Sequence, residues 1–121
     1  MDKQSLIQEC KECPLSQNSK GELCSVCITQ KLMRGKWKIV IIWLLKKEKK
    51  RFSELERLIP NITQSYLTSQ LRELEKSGLV TRTIYNEIPP KVEYSLSKKG
   101  IEFLDVVSVM ERWGKNYIKE L

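Results

Sequence analysis

Four cysteines near the start of this 121-residue chain are the residues whose type and spacing point most directly to chemistry. They form two C-x-x-C pairs, Cys10 with Cys13 and Cys24 with Cys27, separated by ten residues. Each pair can hold two thiolates on one small cation, and four thiolates match the tetrahedral preference of zinc. The spacing therefore predicts one zinc site with four cysteine ligands, and the metal would supply folding energy to the surrounding segment.

The cellular compartment bears on what these thiols can do. The N-terminus lacks the apolar core of a secretion signal, and the longest apolar run, Ile39–Leu45, has seven residues, whereas a membrane span needs about 20. We therefore expect a cytoplasmic protein without a membrane partner. In that compartment thiols stay reduced, and clustered cysteines more often bind metal or sense redox state than form structural disulfides.

The composition excludes several classes of enzyme. Histidine is absent, so there is no His-based triad, no His general base and no mixed His/Cys metal site. The five glycines form no phosphate-binding loop. A C-x-x-C oxidoreductase usually has a βαβ fold, and no parallel-sheet pattern is present. We therefore expect no enzymatic activity.

The net charge of +7 comes from residues 31–51, which we call the basic stretch. It holds nine Lys and Arg residues against Glu48, for a local charge of +8, whereas residues 1–30 carry −1 and residues 52–121 are neutral. Such a run can be a solvated helix end and loop, but it also suits phosphate. Within it, Lys36 and Arg51 are candidate DNA contacts.

Hydrophobic spacing predicts the helices that must position these residues. The polar segment 1–23 should have little regular structure without a staple such as a metal ion. A short helix is expected over residues 24–34. A central buried helix is expected over 36–47, because apolar side chains occupy most of its circumference. Ser53 and Glu56 form a capping box that begins the next helix.

This capped helix and the one after it predict a helix-turn-helix. Pro60 ends the first helix, and Asn61 or Thr63 caps the second. A leucine stripe turns one side of the second helix toward the core, and short donors, acceptors and one guanidinium occupy the other side. That outer side can reach base edges in the major groove. Its candidate DNA-binding residues are Gln64, Ser65, Thr68, Ser69 and Arg72.

Two alternating segments, residues 80–85 and 92–96, predict a β-hairpin directly after the second helix. A hairpin in this position makes the helix-turn-helix a winged one. The predicted fold is mainly α with a small β-hairpin wing, of the α+β class. It places a winged domain at 24–121 and a cysteine-containing extension at 1–23. Ser97 should cap a long final helix.

The final helix carries more apolar surface than one helix face in a domain of this size can bury internally. We expect the surplus to form a two-fold homodimer interface with the first helix of the partner. The candidate interface residues, spaced three or four apart, are Val106, Met110, Trp113 and Tyr117.

Four segments of the chain carry a family resemblance: RGKWK (34–38), RFSELERLIP (51–60), ITQSYLTSQLRELEKSGLV (62–80) and EIPPKVEYSLSKKG (87–100). They closely resemble the HxlR-type winged helix-turn-helix transcriptional regulators of bacteria. The resemblance implies a small cytoplasmic homodimer, formed through the first and last helices, on a pseudo-palindromic operator in double-stranded DNA. It also implies that Thr63–Arg72 lie in the major groove and that the loop ending at Lys91 approaches a minor groove or the DNA backbone.

The resemblance gives Cys24 a second interpretation. It stands thirteen residues before Trp37, where many HxlR-type proteins carry a cysteine that in some members senses electrophiles or oxidants. This sequence departs from that pattern in having an upstream cysteine pair and no cysteine after Cys27. Zinc binding, thiol sensing and inert thiols therefore stay open, and the first two can coexist because oxidation of zinc thiolates releases the metal.

The sequence as a whole predicts a DNA-binding transcriptional regulator, acting as a repressor of nearby genes. Its N-terminal cysteines would control it through zinc or through an oxidant or other small-molecule effector. The alternative is a four-cysteine zinc-ribbon-like module that binds protein or RNA and uses the winged domain as a scaffold.

Overall fold

A computed structural model of the chain describes residues 3–12 and 25–120 as helices and one small antiparallel sheet. This architecture confirms the predicted fold class, mainly α with a small β wing. Within the described ranges, no helix combines the length and the apolar character that crossing a bilayer requires. The elements in chain order are α1 (Lys3–Glu12), α2 (Ser25–Leu32), α3 (Lys38–Leu44), β1 (Lys50–Arg51), α4 (Phe52–Leu58), α5 (Gln64–Lys76), β2 (Val80–Tyr85), β3 (Lys91–Leu96) and α6 (Lys98–Glu120).

The core lies where α3, α4 and α5 meet, and it is aliphatic. The largest fully buried side chains are Ile41, Ile42, Leu55, Ile59, Leu67, Leu71 and Leu74. The predicted burial of the central helix α3 holds for Ile41 and Ile42 but not for Trp43, which is 39% exposed. The helix is also shorter than predicted, since it begins only at Lys38.

Helix α1 is regular where the sequence predicted little structure. It packs against α2, Leu6 is buried, and the Glu9 carboxylate lies 3.3 Å from the ammonium of Lys31. The prediction failed because a helix of ten residues is marginal on its own and gains its stability from burial against a neighbour. The residues of α1 themselves give no sign that α2 will pack against them. The domain boundary between residues 23 and 24 stays a prediction.

The predicted capping box at Ser53 is wrong, because α4 begins earlier. Arg51 is the N-cap, and its backbone N–H donates to the Glu54 carboxylate at 3.0 Å. Arg51 also belongs to β1, which pairs with β3. This non-local pairing holds Arg51 in extended conformation and thereby sets where the helix starts.

The turn between α4 and α5 follows the predicted chemistry. Asn61 occupies the left-handed region at φ 60°, where asparagine is tolerated better than most residues. Thr63 is the N-cap of α5, and its hydroxyl accepts a hydrogen bond from the Tyr66 N–H at 3.1 Å. Gly78, with φ 79°, follows α5 in the predicted left-handed conformation.

The sheet has the strand order β1–β3–β2, so the predicted hairpin gains a third strand. In the hairpin, Val80 pairs with Leu96 and Tyr85 pairs with Lys91. On the other side of β3, Lys50 pairs with Tyr94. Strand β1 was not predicted, because a two-residue strand leaves no alternation to detect.

Candidate DNA-binding surface

Helix α5 is divided lengthwise into a buried side and an exposed side. Leu67, Gln70, Leu71 and Leu74 are buried. The opposite side carries the residues that the sequence predicted to bind DNA. Of these, Thr63, Gln64, Ser65, Ser69 and Arg72 are exposed and Thr68 is half-buried.

The hydroxyl of Thr63 is already engaged in the cap of α5. It accepts from Tyr66 N–H at 3.1 Å and lies 3.4 Å from the Ser65 hydroxyl. Thr63 therefore fixes the first turn of the helix, and its role at the surface is partly structural. Helix N-termini also favour anions through their unpaired N–H groups. The first turn of α5 is thus the end of the helix best suited to a phosphate.

At the wing, four side chains from three segments form what we call the wing cluster: Lys49, Tyr85, Lys91 and Glu93. The Glu93 side chain is 8% exposed, with Lys91 Nζ 2.9 Å from Oε1 and Lys49 Nζ 3.5 Å from Oε2. Lys49 Nζ also donates to the Tyr85 hydroxyl at 3.1 Å. Both ammonium groups lie over the Tyr85 ring, at 5.6 Å and 5.2 Å from its centroid.

The wing cluster shifts the titration of its charged members. The hydrogen bond from Lys91 lowers the pKa of the Glu93 carboxyl against the opposing effect of burial, and the charge of Lys49 lowers it further. The pKa of Lys49 is raised, first by its hydrogen bond with Tyr85 and then by the charge of Glu93. These interactions favour the charged forms of Lys49 and Glu93. The cluster places the ammonium groups of Lys49 and Lys91 on one aromatic platform.

The basic stretch does not form one continuous cationic face. Lys38 is buried, Lys31 pairs with Glu9, and Lys50 lies 3.5 Å from Glu48. The ammonium of Lys46 lies 4.2 Å from the centroid of the Trp43 ring. The basic residues of the stretch that are exposed to solvent are Arg34, Lys36, Lys46, Lys47, Lys49 and Arg51.

Lys36, Arg51 and Lys91 are predicted DNA contacts, but the wing cluster around Lys91 was not predicted. Strand register could have revealed it. Tyr85 pairs directly with Lys91, and Glu93 is two residues farther along β3, on the same face of the sheet. The contribution of Lys49 depends on β1, which the sequence did not predict.

The cysteine prediction falls largely outside the described residues. Cys13, Cys24 and the side chain of Cys10 are not among them. Cys27 is half-buried on α2 and lines a surface depression together with Lys31 and Arg34. Helices α1 and α2, which carry Cys10 and Cys27, pack against each other. The zinc site stays a prediction.

Helix α6 presents an apolar strip to solvent. Val106, Met110, Trp113 and Tyr117 are 44–64% exposed, and the rings of Trp113 and Tyr117 stack at 4.9 Å between centroids. The strip continues into a groove against α2 that Val26 and Met33 also line. These four residues are the ones that the sequence predicted for the dimer interface, and that interface stays a prediction.

Known proteins resemble this chain in both sequence and structure. The model of the HxlR-like helix-turn-helix family matches residues 32–121. The HTH-type transcriptional regulator YtcD of Bacillus subtilis (strain 168) is 50% identical over 97 residues, which are 80% of this chain and 77% of YtcD. A crystal structure of an HTH-type regulator named ytcD superposes with a TM-score of 0.77 at 48% identity, over 80% of this chain and 99% of that chain. The structure of the redox regulator HypR in its reduced form superposes with a TM-score of 0.74 at 44% identity, over 77% of this chain and 92% of HypR.

Proposed function

Because the chain belongs to the HxlR-like helix-turn-helix family of transcriptional regulators, we propose that it acts as a homodimer on a pseudo-palindromic operator under the control of its N-terminal cysteines. The family consists of DNA-binding regulators, so the prediction that the chain is not an enzyme is confirmed. The zinc-ribbon-like alternative, a module for protein or RNA, finds no support in these similarities.

The observation that carries the proposal is the lengthwise division of α5. Its leucines fix the helix to the core, while Gln64, Ser69 and Arg72 stay exposed on the other side. Amide, hydroxyl and guanidinium groups on one helix face provide donors and acceptors for base edges in the major groove. The wing follows α5 directly along the chain. Lys91 in the wing and Lys49, which contacts the wing through Glu93 and Tyr85, offer cations to the adjacent DNA backbone.

The exposed strip on α6 supports the homodimer. A single chain would leave Met110, Trp113 and Tyr117 largely in water, and a two-fold axis through this strip would cover the same surface on both copies. Such a dimer presents two α5 helices to one face of DNA. The two half-sites should then be related by inversion, with centres one helical turn apart, about 34–36 Å, or a multiple of that distance.

A selection experiment tests this function. The full chain is incubated with a random-sequence duplex library at fixed salt, and bound duplexes are recovered and sequenced over several rounds. We expect enrichment of an inverted repeat with half-site centres spaced by about 10 bp or a multiple. Recovery without any enriched sequence, or a single asymmetric site bound by one chain, would contradict the proposal.

For the regulation of DNA binding, the leading proposal is a zinc site made by Cys10, Cys13, Cys24 and Cys27. Four thiolates in two C-x-x-C pairs suit zinc, and the packing of α1 against α2 supports a single site rather than two. Thiol sensing through Cys24 is the second candidate, and the resemblance to a redox regulator favours it. An oxidant or other small-molecule effector fits either chemistry.

Metal content and thiol reactivity separate these two candidates. Anaerobically purified protein should carry about one zinc per chain, and replacement of any one cysteine by Ser should release it. Metal-free reduced protein in which Cys24 alone reacts rapidly with an alkylating agent would exclude the zinc site and support the thiol switch. Equal slow alkylation of all four thiols without metal would exclude both.

Operator binding also has consequences for where the protein is located and how it acts on transcription. A repressor must reach chromosomal DNA, so we place the protein in the cytoplasm. Repression follows when the operator overlaps a promoter of nearby genes, and transcription from those promoters should rise in a strain that lacks the protein.

A further inference from the structure

The linker between α2 and α3, residues 33–37, lies along one edge of α5. At one end of this contact, the backbone N–H of Lys36 donates to the Tyr66 hydroxyl at 3.2 Å. At the other end, Lys38 Nζ lies 3.2 Å from Glu73 Oε2. Tyr66, Gln70 and Glu73 follow one another at helical spacing, so the linker and Lys38 contact a single stripe of α5.

The middle of this contact requires a glycine. Gly35 has φ 128°, and a Cβ at this position would overlap Gln70 Oε1. Gln70 is only 3% exposed, and its Oε1 has no hydrogen-bond partner among the described residues. Its amide nitrogen donates to Glu73 Oε2 at 3.1 Å. Gln70 is thus held between the linker and Glu73.

Lys38 connects three elements through one ammonium group. Its side chain is 5% exposed, and Nζ donates to the carbonyl of Leu32, the last residue of α2, at 3.3 Å. The same Nζ contacts Glu73 on α5, while the backbone of Lys38 begins α3. A buried charge is costly unless it is paired and hydrogen-bonded, and loss of one partner is destabilising. The position of α5 and the end of α2 therefore depend on each other.

We propose that Lys38 is a positioning residue that couples the cysteine-bearing helix α2 to the DNA-reading helix α5. The inference rests on the proposed function, since it assigns to α5 the reading of DNA. Arg72 precedes Glu73 on α5, so a shift of the α5 backbone at Glu73 moves the outer face as well. By thermodynamic linkage, operator binding at α5 and the conformational stability of the end of α2 affect each other equally.

Lys38→Met tests the positioning role. Methionine keeps a long unbranched side chain and removes the ammonium group, and Glu73, whose side chain is 41% exposed, stays solvated. We expect operator affinity to fall between about twofold and thirtyfold, with an unchanged slope of log affinity against log salt. The slope should stay because a buried ammonium makes no phosphate contact. Lys115→Met, which breaks an exposed pair with Glu111 on α6, is the control and should leave affinity unchanged.

Hydrogen exchange tests the coupling itself. With operator at saturating concentration, amide exchange at the end of α2 should slow in the original protein. The reporting amides are those of Met33 and Arg34, which donate to the carbonyls of Thr29 and Lys31. In Lys38→Met this slowing should disappear, while α5 remains protected by DNA.

A double-mutant cycle with Glu73→Gln completes the test. If Lys38 acts through Glu73, the double variant should bind operator no more weakly than the weaker single variant. Additive losses, equal slowing of α2 exchange in Lys38→Met, or no operator effect on α2 in the original protein would each overturn the coupling. Absence of operator binding by the original protein would instead refute the proposed function.

Discussion

The Ser97 hydroxyl donates a hydrogen bond to the carbonyl of Gly78 at 2.5 Å and so joins the end of α5 to the start of α6. The same oxygen accepts from the Gly100 N–H at 3.1 Å, which makes Ser97 the predicted cap of α6. The Ser97 N–H also donates to the Leu79 carbonyl at 3.0 Å. The helix proposed to read DNA is therefore attached directly to the helix proposed to dimerise.

Gly100→Ala tests the close approach of Gly100 to the Leu79 backbone at this junction. A Cβ at Gly100 would overlap the backbone carbonyl of Leu79, which cannot rotate away, so we expect a loss of about 1–3 kcal/mol, typical of overpacking. Thermal or urea unfolding measures the loss. Gly114→Ala on the same helix is the matched control, because nothing lies within 4 Å of its added Cβ. It should stabilise the chain by about 0.5–1 kcal/mol. Destabilisation by Gly114→Ala and not by Gly100→Ala would refute the close approach.

Gln64→Ala and Arg72→Ala should each weaken operator binding without unfolding the protein. Both side chains lie on the exposed side of α5, and a base contact is worth about 1–3 kcal/mol. Fluorescence anisotropy with the selected operator measures the loss, and selection with each variant shows relaxed preference at one base pair. Arg112→Ala, the same change at an exposed position of α6, is the control for Arg72. Unchanged affinity and preference in both variants would show that α5 does not read DNA.

Neutralising Lys46, Lys47, Lys49 and Lys50 together by glutamine should flatten the dependence of operator binding on salt. The slope should fall by about 0.9 for each phosphate that the dimer no longer neutralises. Since Lys46, Lys49 and Lys50 all have internal partners, we expect the largest single contribution from Lys47. The control is a chain with four exposed lysines of α6 changed to glutamine: Lys98, Lys99, Lys115 and Lys119. A slope equal to that of the original chain would mean that this part of the basic stretch is only a solvated loop.

Glu93→Gln should lower the free energy of unfolding near neutral pH by breaking the wing cluster. Folding lowers the pKa of Glu93, so its contribution is present above the unfolded pKa, about 4.5, and is lost as pH falls through the folded value. The difference between variant and original should therefore shrink below that pH. Urea unfolding over a pH series measures this, with Glu87→Gln in the exposed wing loop as control. A difference independent of pH would show that the carboxylate charge of Glu93 does not hold the cluster.

Met110→Glu should prevent dimerisation while leaving each chain folded. Met110 is 45% exposed in the single chain, so the carboxylate is solvated until a partner covers it, where an unpaired charge is strongly unfavourable. Light scattering after gel filtration should report monomers or aggregates, with weak operator binding. Ser108→Glu, on the opposite side of α6, should remain dimeric. A stable dimer of Met110→Glu would place the interface elsewhere.

The elements that sequence predicted well are those whose signals are local. The leucine spacing of α5, the Thr63 cap, Gly78 after the helix and the alternation of the hairpin all lie within one short segment, and the structure has them where predicted. The α4 start and the third strand were missed because both depend on pairing between Arg51 and Glu93, far apart in sequence.

The same contrast between local signals and contacts that are distant in sequence applies to the candidate site. The exposed side of α5 follows from helical periodicity alone, whereas the wing cluster depends on strand register and on β1. The coupling through Lys38 was also not foreseen, because a lysine in a basic stretch gives no local sign that tertiary packing will bury it. The dimer interface and the cysteine site stay predictions.

The third strand has a consequence for how the wing meets DNA. Arg51 pairs with the wing through β1 and caps α4 with its backbone, so the base of the wing cannot tilt without disturbing the first turn of the helix-turn-helix. A wing supported in this way keeps a fixed position relative to the helix-turn-helix. We therefore expect operator choice to depend on the width and deformability of the groove beneath the wing, at base pairs that no side chain touches, as well as on the bases that α5 contacts.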